Sequence, residues 1–296
     1  MMIKVKKYVL IYNPISGHAV FRKRLDYMIN EFQKRNAMLI PYRTKIDNKE
    51  LPLFLQEASP DGVLAAGGDG TLHEVVNVLL QNKIDLPIAV IPSGTSNDFA
   101  TFLEVKKDFS AYLDRIVDGK SFRLIDAGRA GSTYFINVAC AGMFTSIAHE
   151  VAPKFKNTMG KTAYYIYGFA QMPRAKSVDI TIKADGVTYR EKAFLFVVVN
   201  SDIVGSMRHV AEEARVDDGR LDLLLVRQCS FPELVSLTTE LFEGRPVTRR
   251  KEILYIQAKE FEISAEEELE SDFDGERGPM LPLKIETVPK AIKMFC

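Results

Sequence analysis

Tryptophan is absent from the 296 residues, and cysteine is scarce, with only Cys140, Cys229 and Cys296. Their odd number, wide spacing and lack of a C-x-x-C arrangement argue against a disulfide framework or a cysteine zinc site and suit a reducing cytoplasm. The four histidines fall in no metal-ligand spacing. Net charge is missing as well. With 39 basic residues against 39 acidic ones, no global field draws the chain to nucleic acid, which is not an expected partner. No uncharged run approaches the roughly 18 to 20 residues that cross a bilayer. The apolar stretch Tyr8 to Tyr12, behind a basic start, is too short for a signal-peptide core. Any work at a membrane is therefore expected from a cytoplasmic protein associated peripherally with its inner face.

What is present is the composition of a globular protein, 47% hydrophobic and 26% charged, at a length that favours two domains. The first part alternates short β-branched runs with helical patterns, the mark of a parallel sheet in an α/β domain. Strands are expected at Tyr8 to Tyr12, Met38 to Tyr42, Gly62 to Ala66 and Ile88 to Ile91, with helices at Phe21 to Arg35 and Leu72 to Leu80. After about Leu124 strands follow in series at Ser177 to Ala184, Val187 to Asn200, Leu221 to Val226, Tyr255 to Ser264, Leu269 to Asp274 and Leu281 to Val288. Helical stretches at Ala163 to Met172 and Pro232 to Phe242 interrupt them, and Ala184-Asp185-Gly186-Val187 signals a hairpin. The expected division is an α/β domain over residues 1–124, completed by 289–296, and a mainly antiparallel β domain over 125–288.

Three loops lie where an α/β sheet puts ligands, directly after strand carboxyl ends. They are Asn13-Pro14-Ile15-Ser16-Gly17, Gly67-Gly68-Asp69-Gly70-Thr71 and Pro92-Ser93-Gly94-Thr95-Ser96-Asn97-Asp98. In the middle loop, three glycines let backbone N–H groups converge on phosphate oxygens, and the following helix presents its positive N-terminus. Asp69 suits that company only with a cation, so it reads as a direct or water-bridged magnesium contact. One such loop alone would read as a strand-turn-helix junction with a capping Asp69 or Thr71; three in one domain favour a phosphate site. Neither a Walker-type nor a Rossmann glycine motif competes.

With Asp217-Asp218-Gly219-Arg220-Leu221-Asp222 and Asp274-Gly275-Glu276 following in order, the sequence resembles the bacterial diacylglycerol kinases and related lipid kinases. The resemblance spans nearly the whole chain. It implies an N-terminal domain like that of NAD kinases and phosphofructokinases, with a Rossmann-like parallel sheet, and a mainly antiparallel β-sandwich C-terminal domain. It also implies ATP as phosphoryl donor, bound by Asn13, Pro14, Ile15, Ser16, Gly17, Thr44, Gly67, Gly68, Asp69, Gly70, Thr71, Leu72, His73 and Thr95, with Asp98 joining Asp69 in a water network around magnesium.

By the same resemblance Glu276 is the base that accepts the proton of a lipid hydroxyl, although Asp-Gly alone reads as a surface hairpin. A structural magnesium would be held by the Asp218 carboxylate and the carbonyls of Arg215 and Arg220. Upstream, Glu212 replaces the family's usual proline. The implied activity is lipid phosphorylation at a membrane surface, diacylglycerol leading over phosphatidylglycerol, a sphingoid base, a polyprenol or NAD. A non-catalytic lipid or nucleotide sensor is the contrasting class, and a homodimer is a family expectation. Val138 to Ala148 and Ala163 to Met172 are the candidate lipid-pocket stretches. Arg245, Arg249, Arg250 and Lys251 form the densest basic group, suited either to an anionic membrane or to a solvated face.

Overall fold

Strands that are apolar at every position need cover on both faces, which parallel α/β sheets supply. The computed structural model, which describes residues 5–14, 20–45, 48–94, 96–105, 108–142 and 176–296, arranges the chain as two compact units. Met1–Ile125 with Lys290–Cys296 form the first, and Asp126–Pro289 the second.

In the first unit β1 (Lys6–Tyr12), β2 (Ala37–Arg43), β3 (Gly62–Gly67) and β4 (Ile88–Pro92) lie parallel in the order β2, β1, β3, β4. Every residue of β3 is buried. Among the described residues of this unit, five helices alternate with or follow the strands: α1 (Val20–Lys34), α2 (Leu51–Ala58), α3 (Asp69–Gln81), α4 (Asp98–Phe102) and α5 (Phe109–Asp118). The expected strands and the helices at Phe21 to Arg35 and Leu72 to Leu80 are present. Unanticipated α2 carries Pro52 in its first turn, where the missing N–H costs nothing. Equally unanticipated, α5 starts on Asp108, whose carboxylate accepts the Ala111 N–H at 2.9 Å, and ends on left-handed Gly119.

The chain enters the second unit within β5 (Phe122–Ala130) and leaves it within the last strand, β15 (Leu283–Phe295), whose Met294 pairs parallel with Ile88 of β4. Between them run β6 (Thr133–Phe135), β7 (Val138–Gly142), β8 (Val178–Ala184), β9 (Val187–Val199), β10 (Leu221–Arg227), α6 (Phe231–Phe242), β11 (Ile253–Ala258), β12 (Glu260–Ala265), β13 (Glu270–Phe273) and β14 (Glu276–Met280). The pairings among these strands are antiparallel, and long β9 pairs with β7, β8 and β10. Phe135, Phe196, Phe261 and Phe273 are fully buried in one core, while Leu224 and Val226 pack with Leu234 and Leu237 of α6 in another.

The hairpin at Asp185-Gly186 has positive φ at both residues, 45° and 89°, the conformation Asp-Gly adopts most readily. Its Asp185 carboxylate explains one departure from the expected strands. The N–H groups of Lys259 and Glu260 donate to it at 3.1 Å, which breaks the single strand expected at Tyr255 to Ser264 into β11 and β12. Strand β11 stays with β10 while β12 moves to β8. The helical stretch Ala163 to Met172 lies outside the described residues. Of Val138 to Ala148, the described part is β7 itself, whose Ala139 and Ala141 belong to the core.

Candidate functional site

In the first unit, the carboxyl ends of β1, β3 and β4 carry the loops picked out by their glycines. Asn13 follows β1, its N–H donating to the Ala66 carbonyl at 3.2 Å, with Pro14 next to it, and Thr44 follows β2 with its N–H on the Tyr12 carbonyl at 3.0 Å. Gly67 ends β3, Gly68 is the N-cap of α3, and Asp69, Gly70, Thr71, Leu72 and His73 make up its start. Ile15, Ser16, Gly17 and Thr95 lie outside the described residues.

Two glycine loops are bonded to each other. The Gly67 carbonyl accepts the N–H groups of Ser93 at 2.9 Å and Gly94 at 3.2 Å. A Cβ on Gly67 would collide with the Thr71 side chain, and one on Gly94 would reach 2.9 Å from the Gly68 nitrogen. Side chains are thus excluded where the backbone must come closest. Because the α3 N-cap is a glycine with no side-chain cap, the helix start keeps the polarity that favours an anion.

Asn97, left-handed at φ 53°, closes the Ser93-Gly94 loop by accepting the Gly94 N–H at 2.9 Å and donating to the Gly94 carbonyl at 2.6 Å. Asp98, buried, begins α4, and the Asp69 carboxylate accepts the Phe99 N–H at 3.3 Å. Asp69 therefore ties the start of α3 to the start of α4, next to Asp98. Leu72 is buried in the core, so only its backbone can serve a ligand. His73 pairs along the helix with Asn77, whose amide donates to the His73 carbonyl at 2.9 Å.

In the second unit, the turn between β13 and β14 has positive φ at Asp274 (54°) and Gly275 (90°), a tight hairpin of the kind Asp-Gly favours. Asp274 is buried and its carboxylate accepts three backbone N–H groups, those of Ile136 at 2.8 Å and of Asn137 and Val138 at 2.9 Å. Asp272 adds a bond from Gly275 N–H at 2.7 Å. Glu276, next in sequence, is exposed at the turn. The backbone beneath it is fixed, and its carboxylate faces water.

Arg215, Asp218 and Arg220 share one loop, with Gly219 left-handed at φ 75°. One Asp218 oxygen accepts the Arg220 N–H at 3.0 Å, the short side-chain turn that aspartate commonly makes. Among the described residues no cluster of three or more His, Cys, Asp or Glu side chains is placed to hold a metal, so a cation here would depend on carbonyls as well as Asp218. That all-oxygen donor set fits a hard cation such as magnesium, which keeps several waters. Upstream, Ala211 and Ala214 close a turn by a 3.0 Å backbone bond, with Glu212 exposed within it.

The basic group near α6 is largely neutralised. Arg250 pairs with Glu240 at 2.9 Å and Glu252 at 3.0 Å, Lys251 with Glu233 at 2.7 Å, and Arg245 with Glu243. Arg249 is exposed and has no such pairing among the described residues. The group is a solvated mixed-charge face, with little net positive field to offer an anionic membrane.

Asp126 and Asn200, at the heart of the second unit, lie outside every motif picked out in the sequence, and Asp222 entered only as the end of the Asp217 to Asp222 run. Asp126 is fully buried, and its carboxylate accepts the Gly219 N–H at 2.6 Å. Asn200, also fully buried, donates to the carbonyls of Asp126 and Ile136, both at 2.9 Å. Asp222, beneath the same loop, is hydrogen-bonded by Tyr255, and burial pushes its carboxyl up to about 6. A polar residue ending an apolar run, as at Asn200 after Val197 to Val199, was the only available hint.

Residues 7–130 match the family model described as the diacylglycerol kinase catalytic domain, and residues 137–296 that described as the YegS C-terminal NAD kinase beta sandwich-like domain. The diacylglycerol kinase of Staphylococcus aureus (strain Newman) is 33% identical over 292 residues, 98% of this chain and 92% of that protein. A candidate diacylglycerol kinase from Bacillus anthracis str. Sterne, solved by crystallography, matches the fold with a TM-score of 0.82 at 25% identity, covering 100% of this chain and 96% of that one. A second such structure gives a TM-score of 0.80 at 26% identity, over 99% and 98% of the two chains.

Proposed function

The chain belongs to the diacylglycerol kinase family, and on that premise we propose that it moves the γ-phosphate of ATP to the free hydroxyl of diacylglycerol, giving phosphatidic acid and ADP. The observation that carries the donor half is the bonded pair of glycine loops, Gly67-Gly68 and Ser93-Gly94, beside an α3 start with no side-chain cap. Backbone N–H groups in such a loop bind phosphate oxygens without a side chain intervening. Asp69, already bonded to the Phe99 N–H, and its neighbour Asp98 are the carboxylates for the water network around the nucleotide's magnesium.

In this reading the acceptor hydroxyl loses its proton to Glu276 as its oxygen bonds to the γ-phosphorus, and the bond to the β-phosphate oxygen breaks. Magnesium, when bound, neutralises charge on the phosphates; Asp218 with the carbonyls of Arg215 and Arg220 would hold a second, structural ion. Glu276 suits a base because its turn is rigid while its carboxylate is exposed. Diacylglycerol is a membrane lipid, so in this reading the acceptor is met at a membrane surface; no helix among the described residues is long and apolar enough to cross one.

The reading is tested by a panel of acceptors with labelled ATP: diacylglycerol, phosphatidylglycerol, a sphingoid base, a polyprenol and NAD. Labelled phosphatidic acid as the main product is expected. Phosphorylation of NAD without lipid would overturn the proposal, and ATP binding without turnover would support a sensor.

A further inference from the structure

Helix α6 carries two apolar stripes, and the core of the second unit takes only one of them. Leu234 and Leu237 are buried, and Leu241 packs beside them against the same core. Phe231, Val235, Thr238 and Phe242 recur at helical spacing, which sets them in a second line along another side of the helix. This line reaches solvent. Phe231 is 51% exposed and Phe242 41%, with Val235 and Thr238 half-buried between them.

The polar groups on this side are spent within the helix. The Thr238 hydroxyl donates to the Leu234 carbonyl and the Thr239 hydroxyl to the Val235 carbonyl, both at 2.8 Å. Neither hydroxyl hydrogen then needs water, and what Thr238 has left for a neighbour is its methyl group. The charges belong to another side. Glu233 and Glu240, two turns apart and carried away from the phenylalanines by the helical repeat, hold Lys251 at 2.7 Å and Arg250 at 2.9 Å.

Area and charge decide what such a strip fits. An aromatic ring buries about 150 to 250 Å², so the exposed halves of two rings come to roughly 200 Å², far below the ~800 Å² that each partner gives to a stable protein interface. A second copy would need much more. A bilayer needs no matching surface, and a helix lying in its plane sinks its apolar side about 5 to 10 Å among the lipids. Because the charged side is ion-paired, apolar insertion rather than attraction to anionic headgroups sets the fit.

We propose that the side of α6 bearing Phe231 and Phe242 is the contact with the lipid bilayer, both rings entering the acyl chains just below the headgroups. Diacylglycerol is met in a membrane, and on that reading of the acceptor a bilayer is the partner this side of α6 takes. Zwitterionic vesicles should then bind the protein about as well as anionic ones, with little effect of salt.

The chain has no tryptophan, so Phe231→Trp and Phe242→Trp each place a single reporter on the proposed contact. With phosphatidylcholine vesicles both emissions should shift to the blue and be quenched by brominated acyl chains, at low and at high salt alike. Vesicle affinity in sedimentation should fall about tenfold or more when Phe231→Ser and Phe242→Ser are combined, with the melting temperature unchanged. Vesicles that sediment the protein without shifting or quenching either tryptophan would overturn the assignment, as would a wild type that sediments with no vesicle. Binding confined to phosphatidylglycerol-containing vesicles and lost in salt would overturn it in favour of a basic surface. Self-association in sedimentation velocity that the double serine variant abolishes would give this side of α6 to a second copy instead. In each of these cases the kinase reading is decided separately by the acceptor panel. The tryptophan measurements stand even if the serine variant does not fold.

Discussion

Gly94 lies against Gly68 so closely that a Cβ on Gly94 would sit 2.9 Å from the Gly68 nitrogen, nearer than real side chains approach a backbone. Two loops from different strands are thereby held with their amides at one place. Gly94→Ala must push the loops apart, an overpacking cost of roughly 1 to 3 kcal/mol. We expect weaker ATP binding by calorimetry as well as a lower melting temperature. Unchanged ATP affinity would show that the contact serves folding only.

The Asp274 carboxylate accepts three backbone N–H groups in a buried setting. Asp274→Ala strands those donors, with an expected loss of about 3 kcal/mol or more in unfolding free energy. Asp274→Asn keeps an acceptor oxygen and should recover part of the stability. A loss below about 1 kcal/mol for Asp274→Ala would mean the three bonds do not act together.

Glu233 supplies a pH dependence whose sign follows from its partners. Hydrogen bonds from Lys251 and from Ser230 at the start of α6 lower its carboxyl from 4.5 to about 2. A carboxyl depressed on folding contributes stability that is full above its unfolded value and disappears as pH falls through its folded one. The stability difference between wild type and Glu233→Gln should therefore be constant above about pH 5 and shrink between 4.5 and about 2. Denaturant titrations across that window check it; a flat difference would contradict the pairing.

The charge pairing around Arg250 makes a prediction about membranes. Since Arg250, Lys251 and Arg245 are each matched by a glutamate, Arg249→Glu should change sedimentation with anionic vesicles by less than twofold, the small effect expected of a screened surface charge. A loss of most vesicle binding would restore this face as the membrane contact.

The parallel strands and glycine loops were legible because both are written in local chemistry: runs apolar at every position, then residues chosen for their lack of a side chain. The Asp185-Gly186 and Asp274-Gly275 turns were legible for the same reason. Short α2 was hidden by Pro52, which reads as a breaker but sits in a first turn. The split between β11 and β12 was hidden because its cause, the Asp185 carboxylate, lies 74 positions before Lys259. Asp126 and Asn200 could not be found from spacing at all. Asp126 meets Gly219 across 93 positions, and a buried aspartate or asparagine has the same letter as a solvated one. Glu276 shows the opposite limit, since only the family resemblance distinguishes its turn from an ordinary hairpin.

The most direct test compares wild type with Glu276→Gln for initial rates of labelled phosphatidic acid formation from diacylglycerol in mixed micelles, with ATP binding measured alongside. A positioned base contributes about 10² to 10⁴ in rate. A loss of that size in kcat, with ATP affinity unchanged, is the expected result. Undiminished phosphorylation by Glu276→Gln, or no phosphatidic acid from the wild type, would contradict it.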